Sequence, residues 1–351
     1  MTYKYIKTIA FISSTILSSF SHASSSVNNQ AISKPDSSFN FGGVLQWDYE
    51  LNKVKNNEDT SNSALRRSRL YSYGHVGNWD YKATIKLGEN SKTNGDAIEA
   101  YIRYTGMGDF FNVAIGKQKE PFGLELLTSS KDISIIERSA MTEYYTYEPS
   151  FGIQITGKGS DWSYGFGIFE SNRKIKSGFS NKAITGRLTK AMKVNDELLV
   201  HLGTGFTYRS AYLNNKDITN YNIEYALLYK SIHLQAEYFH TSAPHTTYSN
   251  KGHYIQLGYI FNGSRPYKAG KFKGVIPHST RGAWEMVIRY EDGLGKFSDI
   301  NLGKTVGKQI STGANYYFNK QIRFSLSYMT GEDEVSSSNN EEYRVRMQLL
   351  F

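Results

Sequence analysis

The sequence predicts an all-β protein, a transmembrane antiparallel β-barrel of about sixteen strands with an inward-folded constriction loop. Three observations carry this expectation. Apolar and polar residues alternate at period two in segments of about ten residues, the length of a tilted strand that crosses a bilayer. The connections between these segments are alternately short and long. One stretch, Gly116 to Pro149, abandons the alternation for about thirty residues, far more than a hairpin loop needs. It holds Phe122, Leu124, Leu126, Leu127, Ile133, Ile135, Ile136, Tyr144, Tyr145 and Tyr147, rings and branched chains that need a surface to pack on. In a wide barrel that surface is the inner wall, so residues 117–149 are expected to fold inward and narrow the lumen.

The chain opens on a secretory leader. Lys4 and Lys7 precede a short apolar, serine-rich run from Ile9 to Phe20, and Ser21-His22-Ala23 has the small residues of a cleavage site. Residues 1–23 are read as a signal peptide and 24–38 as a flexible polar segment. The apolar run is too short to span hydrocarbon, which takes about 20 residues. No later stretch reads as a transmembrane helix, so a membrane-embedded mature chain, residues 39–351, must be a closed barrel. The 351 residues include no cysteine, so no disulfide or thiolate metal site is possible, and no cofactor or metal is expected.

The strands then follow in order. Phe39, Phe41, Leu45, Trp47 and Tyr49 alternate with Asn40, Gln46, Asp48 and Glu50. Ala64 to Val76 and Trp79 to Leu87 flank the tight turn Gly77-Asn78, and Asp96 to Thr105 and Phe110 to Gly116 lead into the insert. Eleven further segments run from Ser150 to the C-terminal Phe351. In the last, Tyr343, Val345, Met347, Leu349 and Phe351 share one face while Arg344, Arg346 and Gln348 share the other. One connection breaks the short–long rule. Residues 262–281 occupy a short-turn position, on the periplasmic side of such a barrel, yet are long and basic.

Period two also assigns a face to each charge. Opposite the apolar face lie Arg67, Arg69, Lys82, Lys86, Arg103, Arg187, Arg209, Arg289, Arg323, Arg344 and Arg346, against Asp48, Glu50, Glu99, Glu224, Glu237 and Glu285. Bases in excess along a narrow lumen concentrate anions and repel cations. Strict alternation sends Arg66 outward beside inward Arg67, which suggests a bulge or a rim position. The insert's acids, Glu120, Glu125, Asp132, Glu137, Glu143 and Glu148, outnumber its bases, so some must pair with wall arginines and weaken that field. The net charge of +9 fits nucleic acid, lipopolysaccharide or small anions equally. In an exported barrel the expected partners are small inorganic anions, membrane lipid and lipopolysaccharide, and nucleic acid is not expected.

The insert and other blocks are similar to a known family. VAIGKQKEPFGLELLTSSKDISIIERS, with ALRRSRLY and DAIEAYIRY before it and GSRPYKAGKFKGVIPHSTRGAWEMVIRY and STGANYYFNKQIRFSLSY after it, resembles the phosphate-selective porins of the O and P type. The resemblance implies a sixteen-stranded bacterial outer-membrane barrel, a homotrimer, an arginine-lined pore, and a long turn that folds back into the barrel. It implies a phosphate site on Arg66, Arg67, Glu99 and Lys119. This chain departs from the pattern in carrying Glu99 where the family has Asp, and Arg69 where phosphate-binding members carry an aromatic. With Arg69, Arg103 and Lys117 these residues form the expected pore lining. The expected activity is passive diffusion of phosphate or polyphosphate. A general porin, or one for a dicarboxylate or sugar acid, is the alternative, with lumen aromatics such as Tyr71, Tyr73 and Tyr317 compatible with it. An enzyme is not expected: there is no Walker loop, no Gly-x-Ser-x-Gly elbow and no His-Glu-x-x-His, and the histidines are scattered. A surface receptor is compatible with the long loops.

Overall fold

A computed structural model describes residues 36–54, 58–88, 96–171, 182–213, 216–243, 249–296, 304–333 and 338–351. The proposed signal peptide and most of the segment expected to be loose lie outside them. Ser37 and Ser38, assigned to that segment, instead begin the first strand, where they pair with Val76 and His75.

The barrel strands are β1 (Ser37–Val54), β2 (Thr60–Val76), β3 (Trp79–Lys86), β4 (Ala97–Tyr104), β5 (Asn112–Gln118), β6 (Ser150–Lys158), β7 (Trp162–Glu170), β8 (Lys182–Lys193), β9 (Leu198–Leu213), β10 (Lys216–Tyr229), β11 (Ile232–Ser242) and β12 (Ser249–Phe261), followed by β15 (Ala283–Lys296), β16 (Lys304–Tyr317), β17 (Ile322–Asp333) and β18 (Ser338–Leu350). A two-stranded ribbon, β13 (Gly263–Ser264) and β14 (Ile276–Pro277), lies within the long turn. The sixteen barrel strands pair antiparallel with their sequence neighbours, β12 pairs with β15, and β18 pairs with β1 to close the sheet. Closure leaves no unpaired edge, which hydrocarbon would not tolerate.

The burial pattern inverts that of a water-soluble protein. Along β12, Ile255, Leu257, Tyr259 and Phe261 are exposed while Gly252, Tyr254, Gln256 and Gly258 are buried. Rings gather beside the short turns, Trp79 with Tyr104 and Phe110 with Trp162, as in the aromatic girdle of a membrane barrel. The charges assigned to the inner face are all buried or half-buried. The expected irregularity at Arg66 is a β-bulge: Gln46 pairs with Arg67 and Trp47 with Leu65, leaving Arg66 as the extra residue.

The insert begins at residue 119, because Lys117 and Gln118 still belong to β5. It forms two short helices, α1 (Leu124–Leu127) and α2 (Ala140–Tyr145), joined by an irregular run. Ser139 caps α2, its hydroxyl accepting from the backbone N–H of Met141 and Thr142. Phe122, Met141 and Tyr145 form an apolar cluster with Phe239 and Tyr254 of the inner wall, the rings of Tyr145 and Phe239 being stacked 5.3 Å apart. Full burial of each such side chain contributes roughly 1.5–3 kcal/mol. Gly252 makes room for this: a Cβ there would collide with Met141 Sδ.

Candidate functional site: a channel along one wall

Polar contacts fasten the insert to the wall from β8 round to β1. The Glu120 carboxylate binds Arg209 and accepts hydrogen bonds from Ser150 (2.8 Å) and Thr185 (2.8 Å). Glu237 on β11 receives the N–H groups of Leu124 (2.7 Å) and Glu125 (3.0 Å). Glu125 in turn meets Arg289 at 3.3 Å. Between the helices, successive backbone carbonyls are taken by side chains of the wall and the long turn. Lys131 O accepts from Gln348, Asp132 O from Arg265, Ile133 O from Arg323, Ser134 O from Asn315, Ile136 O from Arg346 and Glu137 O from Arg289, at 2.6–3.2 Å. An irregular backbone inside a barrel must find partners for its carbonyls, and here the inward arginines supply many of them.

Residues 263–277 add a second filling element. Arg265 pairs with Glu285 (2.8 Å), Tyr267 bonds His201, and Phe272 packs with Leu124 of α1 and Ala226 of β10. Arg187, itself paired with Glu224, donates to the Gly270 carbonyl at 2.8 Å.

What stays open is a cavity of about 2080 Å³ whose strand walls are mostly β2 to β7, faced by the insert and residues 269–274. Five of these strands, β3 to β7, have 7–9 residues, against 11–18 in the other barrel strands. Fourteen Lys and Arg line the cavity against seven Asp and Glu. A basic excess of this size in a confined passage sets up a field that favours anions.

All seven residues singled out from the sequence, Arg66, Arg67, Arg69, Glu99, Arg103, Lys117 and Lys119, border this cavity. They do not form one cluster. Arg66 and Arg67 converge with Arg344 and Arg346 on a single carboxylate of the insert, Glu137, at 3.0, 2.9, 3.4 and 2.6 Å. Burial would raise the Glu137 carboxyl, but Arg67, Arg346 and Arg66 hold it well below the ordinary carboxylate value. Glu99 pairs with Lys82 and lies within electrostatic reach of Lys119 and Lys271. Lys119 donates to the Leu126 carbonyl. Arg103 pairs with Asp80 at 2.6 Å. Lys117 is the outlier: its strand partners, Ala100 and Phe151, lie on the exposed face, and its amine turns back to the Ala97 carbonyl.

Period two assigns eleven bases to the inner face. Arg67, Arg69, Lys82, Lys86, Arg103 and Arg187 border the cavity, whereas Arg209, Arg289, Arg323, Arg344 and Arg346 lie behind the insert and hold it. Tyr317, expected as a lumen aromatic, is likewise buried, bonded to Glu285 at 2.7 Å. Lys271 and Lys273 border the cavity without having been singled out as site residues, and the basic composition of their segment was the available signal. Burial, with Lys273, Lys82 and Arg187 nearby, pushes the Lys271 amine down to about 8. Burial and Arg138 push Lys119 well below the ordinary lysine value, with Lys271 and Lys82 adding to the shift.

A closed barrel with an apolar outer face and an eccentric, cation-rich aqueous passage is a porin. The family model described as phosphate-selective porin O and P matches residues 39–217 and 206–351, and the chain belongs to that family of outer-membrane porins. Porin O of Pseudomonas aeruginosa is 26% identical over 390 aligned positions, which cover 90% of this chain and 88% of that protein. Among solved structures, the anion-selective porin of Comamonas acidovorans superposes with a TM-score of 0.63 at 14% identity, covering 90% of this chain and 100% of the other. The outer-membrane channel DcaP of Acinetobacter baumannii superposes with a TM-score of 0.58 at 13% identity, covering 91% and 99%.

Proposed function

We propose that this porin passes small oxyanions, phosphate first among them, by passive diffusion along the β2–β7 wall, with residues 119–149 forming its constriction. The twofold excess of bases over acids around the open cavity carries this reading. In it, Lys119 and Lys271, within electrostatic reach of Lys82 and Glu99, form the binding point with them: Glu99 accepts a hydrogen bond from a protonated phosphate and the lysines take its charge. Arg69 and Arg103 extend the basic path, Arg66 and Arg67 supply field from beside Glu137, and Lys117 contributes at the margin. Diffusion down a gradient needs no covalent step and no cofactor. Membership of the family and the fold shared with porins favour a homotrimer held in outer-membrane lipid and lipopolysaccharide, with residues 262–281 on the periplasmic side.

Planar-bilayer recording of the purified protein tests the reading. In a potassium chloride gradient the reversal potential has the sign of chloride preference, and added phosphate reduces the chloride current. A potassium preference, or chloride current indifferent to phosphate at every concentration, contradicts it.

A further inference from the structure

Strand register lays the open wall out in rows. Tyr73 of β2 pairs with Lys82 of β3, and Lys82 pairs with Tyr101 of β4, so the two phenols flank one amine. The neighbouring row is His75, Asp80 and Arg103, and the row on the other side is Tyr71, Thr84 and Glu99. All of these residues border the cavity.

Two features of this patch go beyond what an inorganic anion needs. The first is the rings. On the filled side of the barrel Tyr145 and Tyr254 are completely buried, yet Tyr73 keeps 47% of its surface open to the passage and touches Tyr71 only at a tilted 6.1 Å. A ring held against water offers apolar area and a π-face to a solute. The second is the acids. Asp80 and Glu99, paired with Arg103 and Lys82, accept hydrogen bonds and donate none when ionised; an inorganic phosphate offers them few O–H donors, whereas a sugar carries several. The two carboxylates suit a solute that brings hydroxyl donors.

We propose that this patch is a binding row for an anionic sugar: a pyranose that lies on the faces of Tyr73 and Tyr101, gives hydroxyl hydrogen bonds to Asp80 and Glu99, and places its phosphate or carboxylate on Lys82 and Arg103. The two outer strands of the row stand about 10 Å apart, two inter-strand spacings, enough for one six-membered ring to bridge the phenols. Arg103, whose Nε and Nη2 donate to Asp80, brings the rest of its guanidinium to an oxyanion. This inference rests on the anion-porin reading and narrows its solute.

The test uses the intact porin in planar bilayers, with chloride current titrated by glucose 6-phosphate, glucuronate, glucose and inorganic phosphate. At least one of the two anionic sugars is expected to half-block at a concentration several-fold below that of inorganic phosphate, and which one does so identifies the anionic group. Replacing both rings by a similar apolar volume, Tyr73→Leu with Tyr101→Leu, should raise that half-blocking concentration about tenfold and leave that of phosphate within about twofold. The pair Tyr73→Phe and Tyr101→Phe keeps the ring faces and should keep the block. Equal shifts for sugar and phosphate, loss of block in the Phe pair, or no anionic sugar blocking better than phosphate overturns the inference. A cation-preferring reversal potential would instead reject the underlying anion-porin reading.

Discussion

The two halves of this barrel carry the same inward rhythm of arginine and polar residues and put it to different uses. From β8 round to β1, carboxylates and carbonyls of the insert meet the wall, so Arg209, Arg289, Arg323, Arg344 and Arg346 are nearly inaccessible and serve as fasteners. From β2 to β7 most of the wall faces water, and bases such as Arg69, Lys82 and Arg103 are only half-buried. A basic residue on the inner face therefore borders the passage only where nothing is packed over it. The insert decides where that is.

Breaking a fastener should have the largest effect. Arg289→Ala strands Glu125 and Glu291 as buried carboxylates, and removing one partner of such a pair typically costs about 3–5 kcal/mol. The variant should show larger, noisier single-channel steps and a lowered thermal transition. An unchanged trace and midpoint would mean that the insert is held by its apolar contacts alone.

Glu137→Gln comes next. It leaves Arg66, Arg67, Arg344 and Arg346 around a neutral amide, so their charge is no longer offset beside the cavity that Arg66 and Arg67 border. The chloride-to-potassium permeability ratio should rise several-fold and phosphate should block at lower concentration. A lowered ratio would show that the arginines need Glu137 to hold their place.

The smallest expected effect is a pH dependence. Lys271 is protonated below its value of about 8 and neutral above it. Raising the pH from 7 to 9 should therefore lower anion preference, and Lys271→Met should begin at the lower value and flatten the curve. Reversal potentials at each pH check this. A preference that increases with pH would contradict the assignment.

How much of this was legible in the sequence follows from what each feature depends on. Period-two alternation depends only on the local pleat, so the strands, their inner charges and the misfit at Arg66 could all be read. The apolar run from Phe122 to Tyr147 announced that something must cover it. Which arginines the insert would cover could not be read, because Glu120–Arg209 and Glu125–Arg289 are tertiary pairings between distant segments. The place of Lys117 could have been read: period two puts it with Val113 and Ile115, and it pairs with Ala100 and Phe151 on the exposed face. Lys271 was hidden because its place depends on how residues 263–277 fold back, anchored by Arg265, Tyr267 and Phe272.

The division into a conducting and a filled half can be tested directly, since the chain has no cysteine and any introduced thiol is unique. Tyr73→Cys places one on the open wall and Ser311→Cys places one on the buried inner face of β16. A charged, water-soluble thiol reagent should modify the first within the recording and change chloride conductance by about half or more, while leaving the second untouched. Rapid modification at 311 with a change in current, and none at 73, would contradict the account.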